Sequence, residues 1–298
     1  MDWLFIAIIA HFLLAVVFTV DKFLLSKTVL RPAAAAFFVG LLGGAASLFL
    51  IPFGFSLMSF WQMVGGFAAG IAFVFAILFF YRTIQANEVS VVAPIVGGLV
   101  PIFTLFLTYF FLNERLASHQ LISFCFLVFG GVIMFLPQKS AQTFLSKGLL
   151  IAVSAAFLFA LSFVLTKFVF NGQSFINGFI WIRLGGVLGA CSLLLIPSAR
   201  ATISKTLKSV KIGIGGLFIS NKILSAFAFV LLNYAIYLGS VSLVNALQGV
   251  QYVFLLIIVL FLSKKFPKII QERVNYKIIL QKITAILFIV FGLGILAL

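Results

Sequence analysis

Charge is scarce in this sequence, and acidic charge is the scarcest. Only 8% of the 298 residues are charged, and five Asp or Glu face 20 Lys or Arg. Soluble domains average about 25% charged residues, so the composition excludes an ordinary soluble fold. Two histidines and five scattered acids do not readily assemble a metal site or an acid/base pair. We therefore expect neither an enzyme nor a resident metal or cofactor.

Cysteine is as rare as histidine, with two residues of each. Cys125 and Cys191 each lie inside an apolar run, without the spacing of a metal or redox motif. We expect no chemistry from either thiol.

Long apolar runs make up most of the chain. Hydrophobic residues account for 64% of it, with a mean hydropathy of +1.32. A bilayer core of about 30 Å needs roughly 20 helical residues, whereas barrel strands alternate over about 10. The runs favour an all-α integral membrane protein with ten transmembrane helices, at roughly 3–25, 33–52, 60–82, 89–112, 119–137, 148–169, 175–197, 212–238, 241–263 and 278–298. The first run lacks a basic leader and a cleavage site, so we expect a retained helix.

The chain repeats itself weakly. A shift of 145 residues aligns "AHFLLAVVFTVDKF" with "AAFLFALSFVLTKF", and "GAASLFLIP" with "GACSLLLIP". A shift of 152 aligns "EVSVVAPIVGG" with "SVSLVNALQGV", the extra residues being absorbed by a longer basic loop at 200–211. The sequence therefore predicts two five-helix repeats, 1–138 and 146–298. An odd number of helices in each repeat inverts the second in the membrane.

One stretch of the first repeat resembles a known family. In "ANEVSVVAPIVGGLVPIFTLFLTYFFLNERLASHQLISFCFLVFGGVIM", at 86–134, a proline-containing helix ends in "LNERL" and a Gly-rich helix follows. This resembles an EamA-type repeat of the drug/metabolite transporter superfamily, and the second half repeats the pattern more weakly. The second half has "KKF", at 264–266, where the first half has the Asn113-Glu114 pair. The resemblance implies a ten-helix secondary transporter or exporter of small metabolites, working by alternating access around a central cavity.

Polar groups inside apolar spans are costly, so each is a candidate substrate contact. Lys222 shares one face of span eight with Asn233 and Tyr237, at helical spacing. Snorkelling of Lys222 to the interface is the structural alternative. Arg183 is a second cation within a span. Together the two cations indicate a ligand with a carboxylate or phosphate.

Span nine carries a similar polar face, made of Asn245, Gln248 and Tyr252. These groups suit a polar ligand, and they equally suit bonds between helices. His11 is the titratable group near the middle of span one, either as a substrate or proton contact or as a packing residue.

Span four is predicted to bend. Pro94 and Pro101 flank Gly97 and Gly98, and each proline removes an amide donor and clashes with the preceding turn. We predict a hinge there for alternating access, with static packing as the alternative.

The basic residues predict an orientation. Sixteen of the 20 Lys and Arg fall on one side of the ten predicted spans. The positive-inside rule then places both termini on the non-cytoplasmic side of the cell inner membrane. Anionic lipid headgroups account for the basic excess, so no nucleic-acid partner is expected. Both halves of a pathway lie in one chain, so a monomer is sufficient.

The function predicted from these features is transport of a small polar metabolite, an amino acid or related carboxylate. A phosphorylated metabolite or a quaternary-amine, drug-like cation is the alternative within that class. A lipid flippase or scramblase is the alternative from another class.

Overall fold

The computed structural model describes residues 2–27, 31–86, 89–135, 147–209, 212–265 and 276–298. Within these ranges the secondary structure is helical, in twelve α-helices and one 3-10 turn at Ile51–Phe53. The α-helices are α1 Asp2–Lys27, α2 Pro32–Leu48, α3 Phe60–Ala86, α4 Val89–Phe111, α5 Ser118–Phe135, α6 Lys147–Phe170, α7 Phe175–Leu193, α8 Pro197–Ser209, α9 Ile212–Leu238, α10 Val241–Ala246, α11 Gln248–Lys265 and α12 Tyr276–Leu296.

Seven spans in the described residues are long and apolar enough to cross a membrane. They are Asp2–Asp21, Phe60–Gln85, Gly148–Phe170, Phe175–Leu193, Ile219–Leu238, Val241–Leu262 and Ile278–Leu296. Three shorter apolar helices accompany them, at Pro32–Leu48, Ile95–Phe111 and Ser118–Met134. The prediction of an all-helical integral membrane protein is confirmed.

Local sequence sets the helix ends. Pro32 occupies the first turn of α2, where its missing N–H costs nothing. Ser174 and Ser240 cap α7 and α10, each side chain accepting from a first-turn N–H. α4 ends at Phe111, Asn113 reverses the chain with a φ of 52°, and the Glu114 N–H then bonds back to the Thr108 carbonyl of α4. The Asn of "LNERL" therefore has a conformational role.

Glycines set the closest helix approaches. A methyl group on Gly70 of α3 would lie 2.2 Å from the backbone of Gly186 and Ile182 in α7. One on Gly40 of α2 would lie 2.6 Å from the Gly186 carbonyl. α2, α3 and α7 thus meet backbone to backbone, as small residues allow in membranes. α3 also packs on α6, α1 on α9 and α11, α4 on α6, and α5 on α12.

The predicted loop at 200–211 is wrong. It is helical up to Ser209, because Ala199 and Ile203 bury one face against α2 while Arg200 and Lys205 are exposed. α2 and α7 each end four residues before the predicted end, at Leu48 and Leu193. Span nine matches the apolar span Val241–Leu262, within which Leu247 separates α10 from α11.

Candidate functional site

Arg183 lies at the middle of α7. It is the ninth of 19 residues, so about 12 Å of helix separates it from the start of α7. Gly43 of α2 faces the guanidinium, and a methyl group there would lie 3.3 Å from Arg183 Nη1. A cation is therefore held at membrane depth, where an unpaired charge is costly.

Three phenylalanine rings surround this guanidinium. Its Cζ lies 4.1 Å from the ring centre of Phe229, 4.7 Å from Phe179 and 5.9 Å from Phe73. The electron-rich ring faces attract the cation. They accept no strong hydrogen bond, so the N–H donors still require an acceptor.

No acceptor is supplied by the described part of the chain. Arg183 Nε is buried and has no hydrogen-bond partner there. Of the described carboxylates, Asp21 is paired with Lys222, Glu114 bonds to Ser240, and Asp2 lies at the exposed start of α1. Among the described residues, Arg183 is thus a buried cation without a carboxylate partner.

A small cavity adjoins Arg183. It holds about one water in this conformation. Its walls combine glycines and apolar groups with a few hydrogen-bonding side chains: Val39, Gly40, Gly70, Phe73, Val74, Ser162, Phe163, Thr166, Ile182, Gly186, Phe229 and Asn233. Apolar walls with few convergent polar groups are typical of a small-molecule site.

Lys222, a predicted site residue, has different surroundings. Its Nζ lies 3.1 Å from Asp21 Oδ1, and Asn221 Nδ2 donates to the same oxygen at 2.8 Å. Both charged side chains are about one-fifth exposed, at 22% and 21%. Lys222 precedes Phe229 by seven residues, about 10 Å along α9. It joins α9 to α1, and anion binding by it stays a prediction.

The other two predicted residues of α9 lie nearer to Arg183. Asn233 is buried, borders the cavity, and donates to the Phe229 carbonyl at 2.8 Å. Tyr237 lies one turn further along, with its ring centre 5.8 Å from Phe175 and 6.0 Å from Tyr234. The structure therefore brings Asn233, but not Tyr237, to the cavity wall.

His11 joins α1 to α10 and α11. Its Nε2 lies 3.1 Å from the Val244 carbonyl, which can only accept, so Nε2 carries a hydrogen. Its Nδ1 lies 3.2 Å from the side-chain amide of Gln251. Both ring nitrogens are therefore engaged with protein groups.

The predicted residues of α10 and α11 mainly contact neighbouring helices. Asn245 Nδ2 donates to Thr104 Oγ1 of α4 at 3.5 Å. Tyr252 is buried against Gly97, where a methyl group would collide with its hydroxyl. Gln248 is half-buried. None of these three borders the Arg183 cavity.

The predicted hinge lies in a continuous helix. α4 runs without interruption through Pro94, Gly97, Gly98 and Pro101. Among the described residues, an interruption occurs instead at Leu247, between α10 and α11. Bending of α4 during transport stays a prediction.

A polar cluster closes one end of the bundle. Lys167 Nζ, at the end of α6, donates to the carbonyls of Ile236, Tyr237 and Gly239 at 2.8–3.2 Å, so it caps α9. The Ser240 hydroxyl beside them donates to Glu114. Burial raises the pKa of Glu114, against the opposing effects of Ser240 and Lys167.

Sequence reasoning named Arg183 without placing it among the site residues. The predicted span 175–197 and α7 begin at the same residue, so the depth of Arg183 could be read from the sequence, but the three rings come from three different helices. The signal in the sequence that could have identified Arg183 as a site residue was a basic residue within a span of low charge.

The first part of the chain matches a known protein family. Residues 1–136 match the EamA-like transporter family. This finding confirms the resemblance seen in the sequence, and the matching residues run from α1 to the end of α5.

A solved structure shares the fold along almost the whole chain. This neighbour, described only as "Crystal structure of protein", aligns with a TM-score of 0.67 at 16% identity. The alignment covers 99% of this chain and 96% of the neighbour. The shared fold therefore extends beyond the EamA-like residues 1–136. No curated protein matches the chain.

Proposed function

We propose that the chain is a secondary transporter of small polar metabolites that carry a carboxylate, amino acids and related acids first among them. The observation behind this is Arg183, a guanidinium at membrane depth that lacks an acceptor among the described residues. A carboxylate can accept two parallel N–H bonds from a guanidinium, and Asn233 adds a polar side chain in the same wall.

A phosphorylated metabolite is the second candidate, because a phosphate fits the same guanidinium. A quaternary amine is disfavoured, since Arg183 already occupies the faces of Phe179 and Phe229. Two cations would then compete for the same rings.

We further propose that ten helices cross the membrane as two inverted repeats, 1–138 and 146–298. Two hydrogen bonds support the relation between the two repeats. Ser162 donates to the Ala69 carbonyl, and Asn221 donates to the Val17 carbonyl. Val17 corresponds to Ser162 at the shift of 145, and Ala69 to Asn221 at the shift of 152. Each bond joins the first helix of one repeat to the third helix of the other.

The same relation supports alternating access. α3 packs closely on α7, whereas the corresponding pair, α9 and α2, has no comparable contact among the described residues. In a transporter that opens to one side of the membrane at a time, any single conformation has one of two equivalent interfaces closed and the other open. The difference between the α3–α7 and α9–α2 pairs fits this requirement. The cavity at Arg183 holds about one water, so entry of a metabolite requires these helices to move apart.

Solute exchange tests the function. Proteoliposomes containing the chain are preloaded with a carboxylate, a phosphorylated metabolite or a quaternary amine, and uptake of the labelled compound is followed. Exchange of carboxylates that is absent from empty liposomes supports the proposal. Exchange of quaternary amines alone would contradict it, and movement of labelled lipid without solute exchange would favour the flippase alternative.

The proposed orientation keeps both termini on the non-cytoplasmic side of the inner membrane. A C-terminal alkaline phosphatase fusion should then be active, because the enzyme requires an oxidising compartment. An inactive phosphatase with a fluorescent C-terminal green fluorescent protein would reverse the orientation.

A further inference from the structure

A second cavity lies far from Arg183, at the ends of α2, α3 and α8. It is an open cleft of about 410 Å³. Its lining residues are Arg31, Pro32, Ala33, Arg82, Gln85, Ser198, Ala199 and Thr202. Polar and basic groups predominate, in contrast to the cavity at Arg183.

Two arginines give the cleft its charge. Arg31 immediately precedes α2, Arg82 lies in the last turns of α3, and both are exposed. Neither is paired with a carboxylate in the part of the chain that the structure describes, and no Asp or Glu lines the cleft. The two guanidinium groups therefore face the cleft uncompensated.

Two helix starts point into the same space. α2 begins with Pro32, has no side-chain cap, and makes its first intrahelical bond from Ala35 to the Arg31 carbonyl. α8 begins with Pro197, and Ser198 and Ala199 follow it into the cleft wall. First-turn N–H groups lack intrahelical acceptors and carry the positive end of the helix dipole. They add to the two guanidinium groups as anion donors.

We propose that this cleft binds a phosphate group, supplied by an anionic phospholipid headgroup or by a soluble phosphate. The cleft lies where the apolar stretches of α2 and α3 end, which is the depth of lipid phosphates. Basic pockets between membrane helices are suited to such headgroups. The bound group would join α8 to the ends of α2 and α3. This inference does not depend on the transported substrate.

Lipid binding by the purified full chain tests the proposal. Native mass spectrometry measures retention of phosphatidylglycerol and phosphatidylcholine by the wild type and by Arg31→Ala/Arg82→Ala. The matched control, Arg200→Ala/Lys205→Ala, removes two exposed cations of α8 that lie outside the cleft. We expect the cleft variant to bind phosphatidylglycerol roughly thirtyfold more weakly, and the control to be unchanged. Equal weakening in both variants would overturn the site, and so would weakening in neither when inorganic phosphate also fails to distinguish the wild type from Arg31→Ala/Arg82→Ala.

A variant without charge change provides an independent check. Thr202→Trp fills the cleft, and we expect it to weaken binding in a protein that elutes as a folded species. Unchanged binding in this folded variant would also overturn the proposal. Thermal stabilisation by inorganic phosphate identifies the source of the phosphate group. A soluble phosphate is indicated if inorganic phosphate stabilises the wild type but not Arg31→Ala/Arg82→Ala and the wild type shows no preference for phosphatidylglycerol. Lipid selectivity with no response to phosphate indicates a headgroup.

Discussion

Arg183 and Lys222 are two cations inside predicted spans, and their surroundings are opposite. Lys222 has a carboxylate 3.1 Å away on α1, so its charge is balanced within the protein. Arg183 has three aromatic rings and a buried Nε without an acceptor in the described residues. A balanced charge joins helices, whereas an unbalanced one deeper in the bundle is available to a ligand. The comparison separates a structural cation from a recognition cation.

Replacing Arg183 should have the largest effect on ligand binding. Arg183→Met removes a charge-assisted interaction of about 3 kcal/mol, so the affinity for the anionic ligand should fall by about two orders of magnitude. Titration of ligand-induced thermal stabilisation measures this change. The Phe rings remain, so an unchanged affinity would assign recognition to another part of the molecule.

Arg183→Lys is the matched control for charge. It keeps the cation but loses the planar, bidentate donor pair. We expect an affinity between those of the wild type and Arg183→Met. An affinity as low as that of Arg183→Met would show that the donor geometry, and not the charge, carries binding.

Breaking the other pair should reduce stability. Lys222→Met leaves Asp21 without its counterion, and the partly exposed pair predicts a loss of about 2 kcal/mol, between the values for exposed and for buried ion pairs. Asp21→Asn/Lys222→Met removes both charges and should recover most of the stability. Denaturant unfolding in detergent measures all three proteins. Equal losses in the single and double variants would show that the pair is not coupled.

Glu114 offers a smaller test at the closed end of the bundle. Its pKa is raised by burial, so the folded protein holds this proton more tightly than the unfolded chain. The contribution of Glu114 to stability is therefore most favourable at low pH and is lost as pH rises through the raised pKa. Glu114→Gln should flatten that part of the profile, with a stability change of about 1 kcal/mol. An identical pH profile in the variant would assign the dependence to other groups.

The smallest expected effect is at Gly43. A methyl group there lies 3.3 Å from Arg183 Nη1, so the guanidinium must move by a few tenths of an ångström. Gly43→Ala should weaken anion binding by less than about tenfold and leave the stability of the Asp21–Lys222 pair unchanged. A large loss of folding stability would indicate that α2 and α7 cannot adjust at this point.

Apolar periods and turn residues were sufficient to predict most of the helices. Runs of apolar residues gave α1, α3, α6, α9 and α12 to within a few residues, because helices in lipid must be long and continuous. The basic stretch at 200–211 was predicted as a loop because its helix depends on Ala199 and Ile203 packing against α2. That contact is tertiary, and local charge does not reveal it.

The site was less accessible to sequence reasoning. Lys222 and Asp21 are 201 positions apart, so spacing along α9 could not show that the lysine is paired. Asn233 was predicted because it shares a helical face with Lys222, and in the structure it borders the cavity at Arg183. The rings of Phe73 and Phe179 come from two other helices, and only the packing of α3, α7 and α9 brings them together.

The most direct test compares anion binding by three proteins: wild type, Arg183→Met and Lys222→Met. Thermal stabilisation by a panel of carboxylates and phosphorylated metabolites identifies the ligand, and its titration gives the three affinities. Recognition at Arg183 predicts that Lys222→Met, although less stable, binds with nearly wild-type affinity, while Arg183→Met does not bind measurably. Loss of binding in Lys222→Met with retention in Arg183→Met would contradict the assignment.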